Sequence, residues 1–388
     1  MANDRNKPPL DRPPAQLVNL ARALLMKAGT LESTTAGERL DRFDLQKALE
    51  EHLRSNAGVI EADAAPALGA AAAEAVENAE RALERVAGGA SASSLTELEY
   101  ASLEAIVQVT GRPALRYKNG GLETPPGNSG DNVHWIVLIA TWRSKIMAAS
   151  ASVGRISLGS GNSIPEGTGW RLGADLIVTN RHVLSSFVEN PNDAAAAWRI
   201  DHSKHPAIDF AANGRAPSGP AFAISECCYC AEDPGLDIAV LRISDGGGAL
   251  PPPLKLDFEP ESVGRFLEQN GGRQFQGSEV YIVGHPYRPW SSRASTVVFG
   301  VADGSKRWSP GMVTSVNENA STLEHDCSTL GGNSGSCVFA AGTHKVVGLH
   351  LGGMGVDPLT ERASANIALD FSRIRAQRTA EILKKGIV

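Results

Sequence analysis

The sequence predicts a chain in two parts, a small α-helical bundle followed by an all-β unit of barrel or sandwich type. Three observations predict it. Up to about residue 110 the apolar residues recur at the i, i+3, i+4 spacing of a helix face. From Gly111 onward glycine and proline become frequent and that spacing stops. Beyond Val153 the apolar residues come as short runs divided by turn residues, which is the texture of many short strands.

The elements follow in order. From Pro14, the residues Leu17, Leu20, Ala21, Leu24 and Leu25 line one helix face. Leu45, Ala48, Leu49, His52 and Leu53 line a second. An alanine-rich stretch over 63–87 carries Leu68, Ala72, Val76, Ala79, Leu83 and Val86, and Gly88-Gly89 stops it. Ser94 with Glu97 reads as a capping box ahead of Leu98, Leu103, Ile106 and Val107. No ionisable residues cluster here, so core packing is the expected role of these side chains. Residues 111–150 read as a linker or crossing segment, marked by Gly120-Gly121 and Thr124-Pro125-Pro126-Gly127, with one more helix over Trp135 to Met147. The expected division is therefore a helical bundle over 1–110, a connecting segment over 111–150 and a β unit over 151–388. Within the β unit, Leu176-Ile177-Val178, Ile238-Ala239-Val240-Leu241, Val280-Tyr281-Ile282-Val283 and Val346-Val347-Gly348-Leu349 are the strand candidates. Phe371 to Lys385 reads as a closing helix with Ile374, Ala380 and Ile382 as its apolar contacts.

Composition narrows the function. With 42% hydrophobic and 21% charged residues the chain is globular. A net charge of −6, with no Lys/Arg cluster, disfavours nucleic acid as the partner. No run of about 18 apolar residues exists, so no membrane span is expected. Met1 to Pro14 are polar and proline-rich without the apolar core of a secretory signal, so a cytoplasmic location is expected. Five cysteines, three of them together at Cys227, Cys228 and Cys230, make a poor disulfide framework. Zinc is the sharper reading of that trio. The spacing is cramped for a tetrahedral site and no second ligand pair lies near, so reduced structural thiols are favoured. No metal and no cofactor is expected.

Three motifs carry chemistry. Val178-Thr179-Asn180-Arg181-His182-Val183-Leu184 runs a strand into a histidine. Leu236-Asp237-Ile238-Ala239-Val240-Leu241 sets an aspartate at the head of an apolar strand. Gly331-Gly332-Asn333-Ser334-Gly335-Ser336 places a serine in a glycine-rich turn. Singly, each has a bland reading as a strand end, an edge carboxylate or an ordinary turn. Together they supply what acyl transfer needs. A serine hydroxyl is a weak nucleophile until a base lies within hydrogen-bond reach. Histidine suits that task at neutral pH, and an aspartate on its other nitrogen fixes the tautomer. The negative oxygen of the intermediate needs converging donors, for which the Gly332 and Ser334 amides are placed. The expected catalytic residues are His182, Asp237 and Ser334.

With these motifs in hand, residues 150–375 resemble the trypsin-like serine peptidases, most closely the bacterial glutamyl endopeptidase branch. Thr179-Asn180-Arg181-His182-Val183, Asp237-Ile238-Ala239-Val240-Leu241 and Ser328 to Ser336 are similar to its histidine, aspartate and serine motifs. Gly348-Leu349-His350-Leu351-Gly352-Gly353, with Asn366-Ile367-Ala368 after it, is similar to the strands and loop that border its specificity pocket. The resemblance implies an all-β chymotrypsin-like domain of two perpendicular six-stranded barrels with the triad between them, here preceded by the helical domain. It implies a protein or peptide substrate. Two departures matter. Asn333 stands where digestive proteases carry an aspartate that pairs with a new N-terminal amine, so that activation step is not expected. Cys337 replaces a common proline.

The same resemblance addresses specificity. A tryptic pocket needs a carboxylate at the position of Ser328. In the glutamyl branch a threonine and a histidine bind the substrate carboxylate, and Thr329 and His350 match them. A buried carboxylate must be paired or hydrogen-bonded, so a hydroxyl and an imidazole suit an acidic side chain at P1, the substrate residue before the cut. The expected substrate-binding set is Ser328, Thr329, His350, Leu351, Gly352 and Gly353. The other reading of His350 is wall packing. A protease joined to a helical unit also resembles bacterial conflict-system effectors, in which the helical part recruits a protein partner. A pseudoprotease scaffold and a precursor autoinhibited by residues 111–150 in or near the cleft stay open as alternatives.

Overall fold

The computed structural model describes residues 14–27, 31–34, 37–40, 42–56, 65–91, 94–118, 120–125, 131–161, 164–189, 198–214, 219–244, 246–269, 272–287, 303–354 and 365–385. Met1 to Pro13, which bear on the expected location, and Pro126-Gly127 of the connecting segment lie outside the described residues.

Four helices come first: α1 (Pro14–Lys27), α2 (Arg42–Asn56), α3 (Ala65–Ala87) and α4 (Glu97–Thr110). Between α1 and α2 lies a hairpin of β1 (Leu31–Thr34) and β2 (Gly37–Leu40), strands too short to show a period in sequence. Leu25, Leu49, Leu83, Leu103 and Ile106 meet in one core, each worth roughly 1.5–3 kcal/mol on burial. The alanines of α3 at 72, 75, 79 and 82 are buried along one stripe, which is why that helix is alanine-rich. A capping box does start α4, but it is Thr96 with Glu99 rather than Ser94 with Glu97. The Ser/Thr-x-x-Glu pattern fits twice in this stretch. Glu99 also pairs with Arg85 at 2.6 Å, a tie that selects the second frame.

The segment expected as a linker or crossing segment with one helix is built into the fold. β3 (Leu115–Lys118) and β4 (Gly121–Leu122) form a hairpin. α5 (Asp131–Ala151) buries Trp135, Leu138, Ile139 and Ile146.

Next comes a closed six-stranded antiparallel barrel. Its strands are β5 (Val153–Leu158), β6 (Ile164–Arg171), β7 (Leu176–Thr179), β8 (Ala207–Asp209), β9 (Ala221–Cys230) and β10 (Ala239–Ile243), in the order β10-β7-β6-β5-β8-β9. A short helix α6 (Arg181–Ser185) follows β7. After the separate hairpin of β11 (Gly264–Gln269) and β12 (Gly272–Gly277) comes the second barrel. Its strands are β13 (Glu279–Gly284), β14 (Arg307–Asn317), β15 (Thr322–His325), β16 (Cys337–Ala340), β17 (Val346–Met354) and β18 (Ala365–Asp370), in the order β13-β16-β17-β18-β15-β14 and closed by β13 on β14. β3 adds to β14 through Arg116 opposite Arg307 and Leu115 opposite Trp308.

The strand runs are continuously apolar because both faces are buried. On β13, Val280 and Ile282 enter the second barrel's core. Their neighbours Tyr281 and Val283 enter a larger cluster with Trp135, Trp308, Phe339 and Phe371. On β10, Ala239 and Leu241 face the first barrel's interior while Val240 faces that same larger cluster. Alternation survives in space but not in the hydropathy of the sequence. The closing helix α7 (Arg378–Lys385) starts seven residues later than expected. Asp370 Oδ1 accepts from the Ser372 N–H at 2.9 Å and from its hydroxyl at 2.7 Å, a local turn that competes with helix. No helix among the described residues is long and apolar enough to cross a membrane.

Candidate active site

His182 sits in the first turn after β7, and Asp237 sits just before β10, the strand paired with β7. Asp237 Oδ1 accepts from the His182 backbone N–H at 2.9 Å, and Oδ2 lies 2.7 Å from His182 Nδ1. The Asp237 carbonyl accepts from Asn180 Nδ2 at 3.0 Å and from the Arg181 N–H at 3.2 Å. Asp237 holds φ +42, a left-handed conformation that aspartate tolerates better than most residues. Arg181 adds a bond from Nη1 to the Ala231 carbonyl at 3.0 Å and stacks over Trp198. The histidine side chain is half exposed and the aspartate largely covered.

Ser334 lies in the turn between β15 and β16 of the second barrel. The turn is keyed to the first barrel through Thr168 on β6. The Thr168 N–H donates to the Ser334 carbonyl at 2.9 Å, and its hydroxyl donates to the Gly332 carbonyl at 2.8 Å. Gly167 closes the gap between the two motifs. A Cβ there would lie 2.9 Å from the Val183 side chain and 3.2 Å from the Ser334 carbonyl. Gly335 has φ +85, and a Cβ on it would strike the Thr168 carbonyl. Among the described residues, neither the Gly332 nor the Ser334 N–H has a hydrogen-bond acceptor, whereas the Asn333, Gly335 and Ser336 N–H groups donate to Leu330, His350 and Asn333 carbonyls.

The expected pocket residues lie on β17 and on the segment that leads into the Ser334 turn. His350 is 1% exposed, and its Nδ1 lies 3.1 Å from His325 Nε2. Burial holds the His350 pKa well below the usual histidine range, with His325 and His182 adding to the effect, so the ring is neutral. Thr329 donates to Asn366 Oδ1 at 3.0 Å, and Asn366 Nδ2 donates to the Cys327 carbonyl at 3.0 Å. Ser328 turns away and donates to the Arg112 carbonyl at 2.7 Å, so its hydroxyl serves the scaffold. Leu351 and Gly352 are half-buried, Gly352 has φ +125 with open space beside it, and Gly353 continues β17. Sequence reasoning missed Thr168 and His325. The only signal for Thr168 was its place between Gly167 and Gly169, and for His325 its place three residues before Ser328.

The cysteines Cys227, Cys228 and Cys230 split between two faces of β9. Cys227 and Cys230 pack against the first barrel's core, and Cys228 against the larger cluster. Burial pushes the Cys227 thiol up to about 12 and Cys230 to about 11, which keeps both protonated. Among the described residues no His, Cys, Asp and Glu side chains gather as a metal site.

The model of the trypsin-like peptidase domain family matches residues 167–349, a span that includes His182, Asp237 and Ser334. No curated protein matches the chain. Among solved structures the chain is similar to a Glu endopeptidase in complex with MPD, at 15% identity over 61% of this chain and 90% of that one, TM-score 0.41. It is also similar to mouse neuropsin, a serine protease expressed in the limbic system, at 13% identity over 61% and 96%, TM-score 0.39. A third is the VesB protease of Vibrio cholerae, at 11% identity over 60% and 64%, TM-score 0.39. With two closed barrels and the family match lying across them, the chain carries a trypsin-like peptidase domain of chymotrypsin-like fold and is a serine endopeptidase.

Proposed function

We propose that the chain hydrolyses peptide bonds after glutamate, and less readily after aspartate, through Ser334, His182 and Asp237. The double contact of Asp237 with His182 is the observation that carries this reading. It pins the ring so that Nδ1–H faces the carboxylate and Nε2 stays a bare acceptor, ready to take the Ser334 proton. Ser334 Oγ attacks the scissile carbonyl carbon, His182 takes the hydroxyl proton, and the carbonyl oxygen becomes the oxyanion. The unpaired N–H groups of Gly332 and Ser334 receive it. Collapse breaks the C–N bond, His182 gives its proton to the leaving amine, and water repeats the sequence on the acyl-enzyme.

The His325–His350 contact supports acidic specificity. With His325 Nε2–H donating to His350 Nδ1, the His350 proton resides on Nε2, a donor for a substrate carboxylate. The arriving carboxylate draws the His350 pKa back up, so a neutral pocket becomes a charged one only when occupied by the right side chain. The Ser328 hydroxyl, bonded to the Arg112 carbonyl, carries no charge to pair with a basic side chain. The autoinhibited reading places residues 111–150 in or near the cleft. Their described portion forms a hairpin that pairs with β14 and a helix with a buried apolar face, which supports a structural role for the segment.

Digestion of a peptide library, with Ser334→Ala as control, tests this. Cleavage after Glu that vanishes in the variant is expected. Preference for apolar or basic residues at P1 would end the acidic assignment, and retained activity in Ser334→Ala would end the triad.

A further inference from the structure

The segment that leads into the Ser334 turn is held between two bodies. From 326 to 330 its side chains alternate. Cys327 enters the second barrel's core and Thr329 bonds Asn366 of β18. Asp326, Ser328 and Leu330 face the other way, toward the end of the helical bundle. Leu330, 5% exposed, is part of the helical core with Leu103, Ile106 and Val107. The remaining two meet Arg112, the second residue past α4. Arg112 Nη2 donates to Asp326 Oδ2 at 2.8 Å, and the Arg112 carbonyl accepts from the Ser328 hydroxyl at 2.7 Å. Nη1 donates to Asp131 Oδ2 at 2.7 Å and to the Gly111 carbonyl at 2.8 Å. The guanidinium is 5% exposed and lies over the Trp135 ring. Asp326 Oδ1 in turn accepts from the Met312 N–H at 2.6 Å.

We infer that Arg112 is a positioning residue for the peptidase, through which the helical bundle sets the register of residues 326–330 and hence the placement of the Gly332 and Ser334 amides. This rests on the functional reading above. Asn333, uncharged, can hold no ion pair of its own at this turn, and the buried charge that anchors the segment lies at Asp326. Arg112 ties that charge through Nη2 and holds Asp131 through Nη1, a planar fork that a lysine cannot copy. The donors of the oxyanion site are backbone groups, so their direction depends on how the preceding residues are held. A side chain that fixes those residues acts on turnover rather than on substrate affinity.

The test uses the full chain. Arg112→Ala is expected to lower kcat/KM on a glutamyl peptide at least about 30-fold, chiefly in kcat, with KM nearly unchanged. Labelling of Ser334 by a small fluorophosphonate should slow in parallel. Millimolar methylguanidinium should restore about tenfold of both, while Arg112→Lys should stay impaired. Asp326→Asn, which keeps shape and removes charge, gives a second route if Arg112→Ala does not fold, with a loss of about tenfold in kcat. Full activity in Arg112→Ala, or a folded, inactive Arg112→Ala that methylguanidinium does not rescue beside a fully active Asp326→Asn, overturns the inference. If wild type itself is not labelled at Ser334, the functional reading falls. If wild type and Arg112→Ala are labelled equally fast, only the role of Arg112 falls.

Discussion

Asp237 holds His182 at two points, its Oδ1 on the backbone N–H at 2.9 Å and its Oδ2 on Nδ1 at 2.7 Å. One carboxylate thus fixes both where the ring begins and which way it faces. Asp237→Asn keeps the size but presents an amide. The amide can donate to Nδ1, which would leave the proton on Nε2, the nitrogen that must accept. A fall of about 10⁴-fold in kcat is expected, with folding intact by circular dichroism.

Ser334→Ala removes the attacking oxygen and little else, since the turn is held by backbone groups. A loss of roughly 10⁴–10⁶-fold in kcat is expected, with an unchanged melting temperature. Burst kinetics on an activated ester would disappear as well.

Gly335 and Gly120 both have positive φ but differ in surroundings. A methyl on Gly335 would strike the Thr168 carbonyl and the Thr179 hydroxyl, whereas one on Gly120 meets nothing within 4 Å. Gly120→Ala should cost only the conformational term, about 1–2 kcal/mol. Gly335→Ala should cost clearly more and pull the serine turn off the first barrel, measurable by denaturant titration and by lost activity.

His350→Ala should lower kcat/KM for glutamyl peptides by about 30-fold or more, since a carboxylate left without its donor loses roughly 2–5 kcal/mol. Small fluorophosphonates should still label Ser334. His325→Phe should act in the same direction but less, because it releases the His350 tautomer without removing the donor. An unchanged P1 profile in both variants would reduce His350 to wall packing.

Stability should fall with acid below about pH 6.5. His285 and His350 are buried, and burial lowers both pKa values well below the usual range. Lys306 and Arg155 add to the effect at His285. In the unfolded chain both rings take up protons near their ordinary pKa while the native rings stay neutral. The unfolded state therefore binds more protons below that point. The contribution of these two rings is full above that point and drains away as pH falls, by up to about 1.4 kcal/mol per pH unit for each ring. Melting curves from pH 8 to pH 5 check the slope, and His285→Gln should flatten it.

The motifs of the proposed triad stood out in the sequence because such chemistry restricts them to few residue types in fixed local settings. Asp237 heads an apolar strand and Ser334 sits among glycines that the close approach of Thr168 demands. Thr168 itself was invisible, since a threonine between glycines has many uses. The hairpin of β3 and β4 was read as a linker because glycine and proline punctuate both. What distinguishes them is pairing with Arg307 and Trp308, nearly two hundred positions away, which no local pattern encodes. The displaced capping box shows the same limit on a smaller scale, where Arg85 from another helix decided between two equal frames.

The bond between Ser328 and Arg112 joins positions 216 apart in the chain, and that between Arg112 and Asp326 joins positions 214 apart. Contacts so distant close large loops, and folds rich in them assemble slowly. During synthesis the helical bundle and the first barrel emerge well before the serine turn, and proteins are made at only about 5–20 residues per second. A nascent chain therefore carries the histidine and the aspartate for several seconds with no nucleophile beside them. The order of residues along the chain means that these three groups come together only after most of the polypeptide has been made.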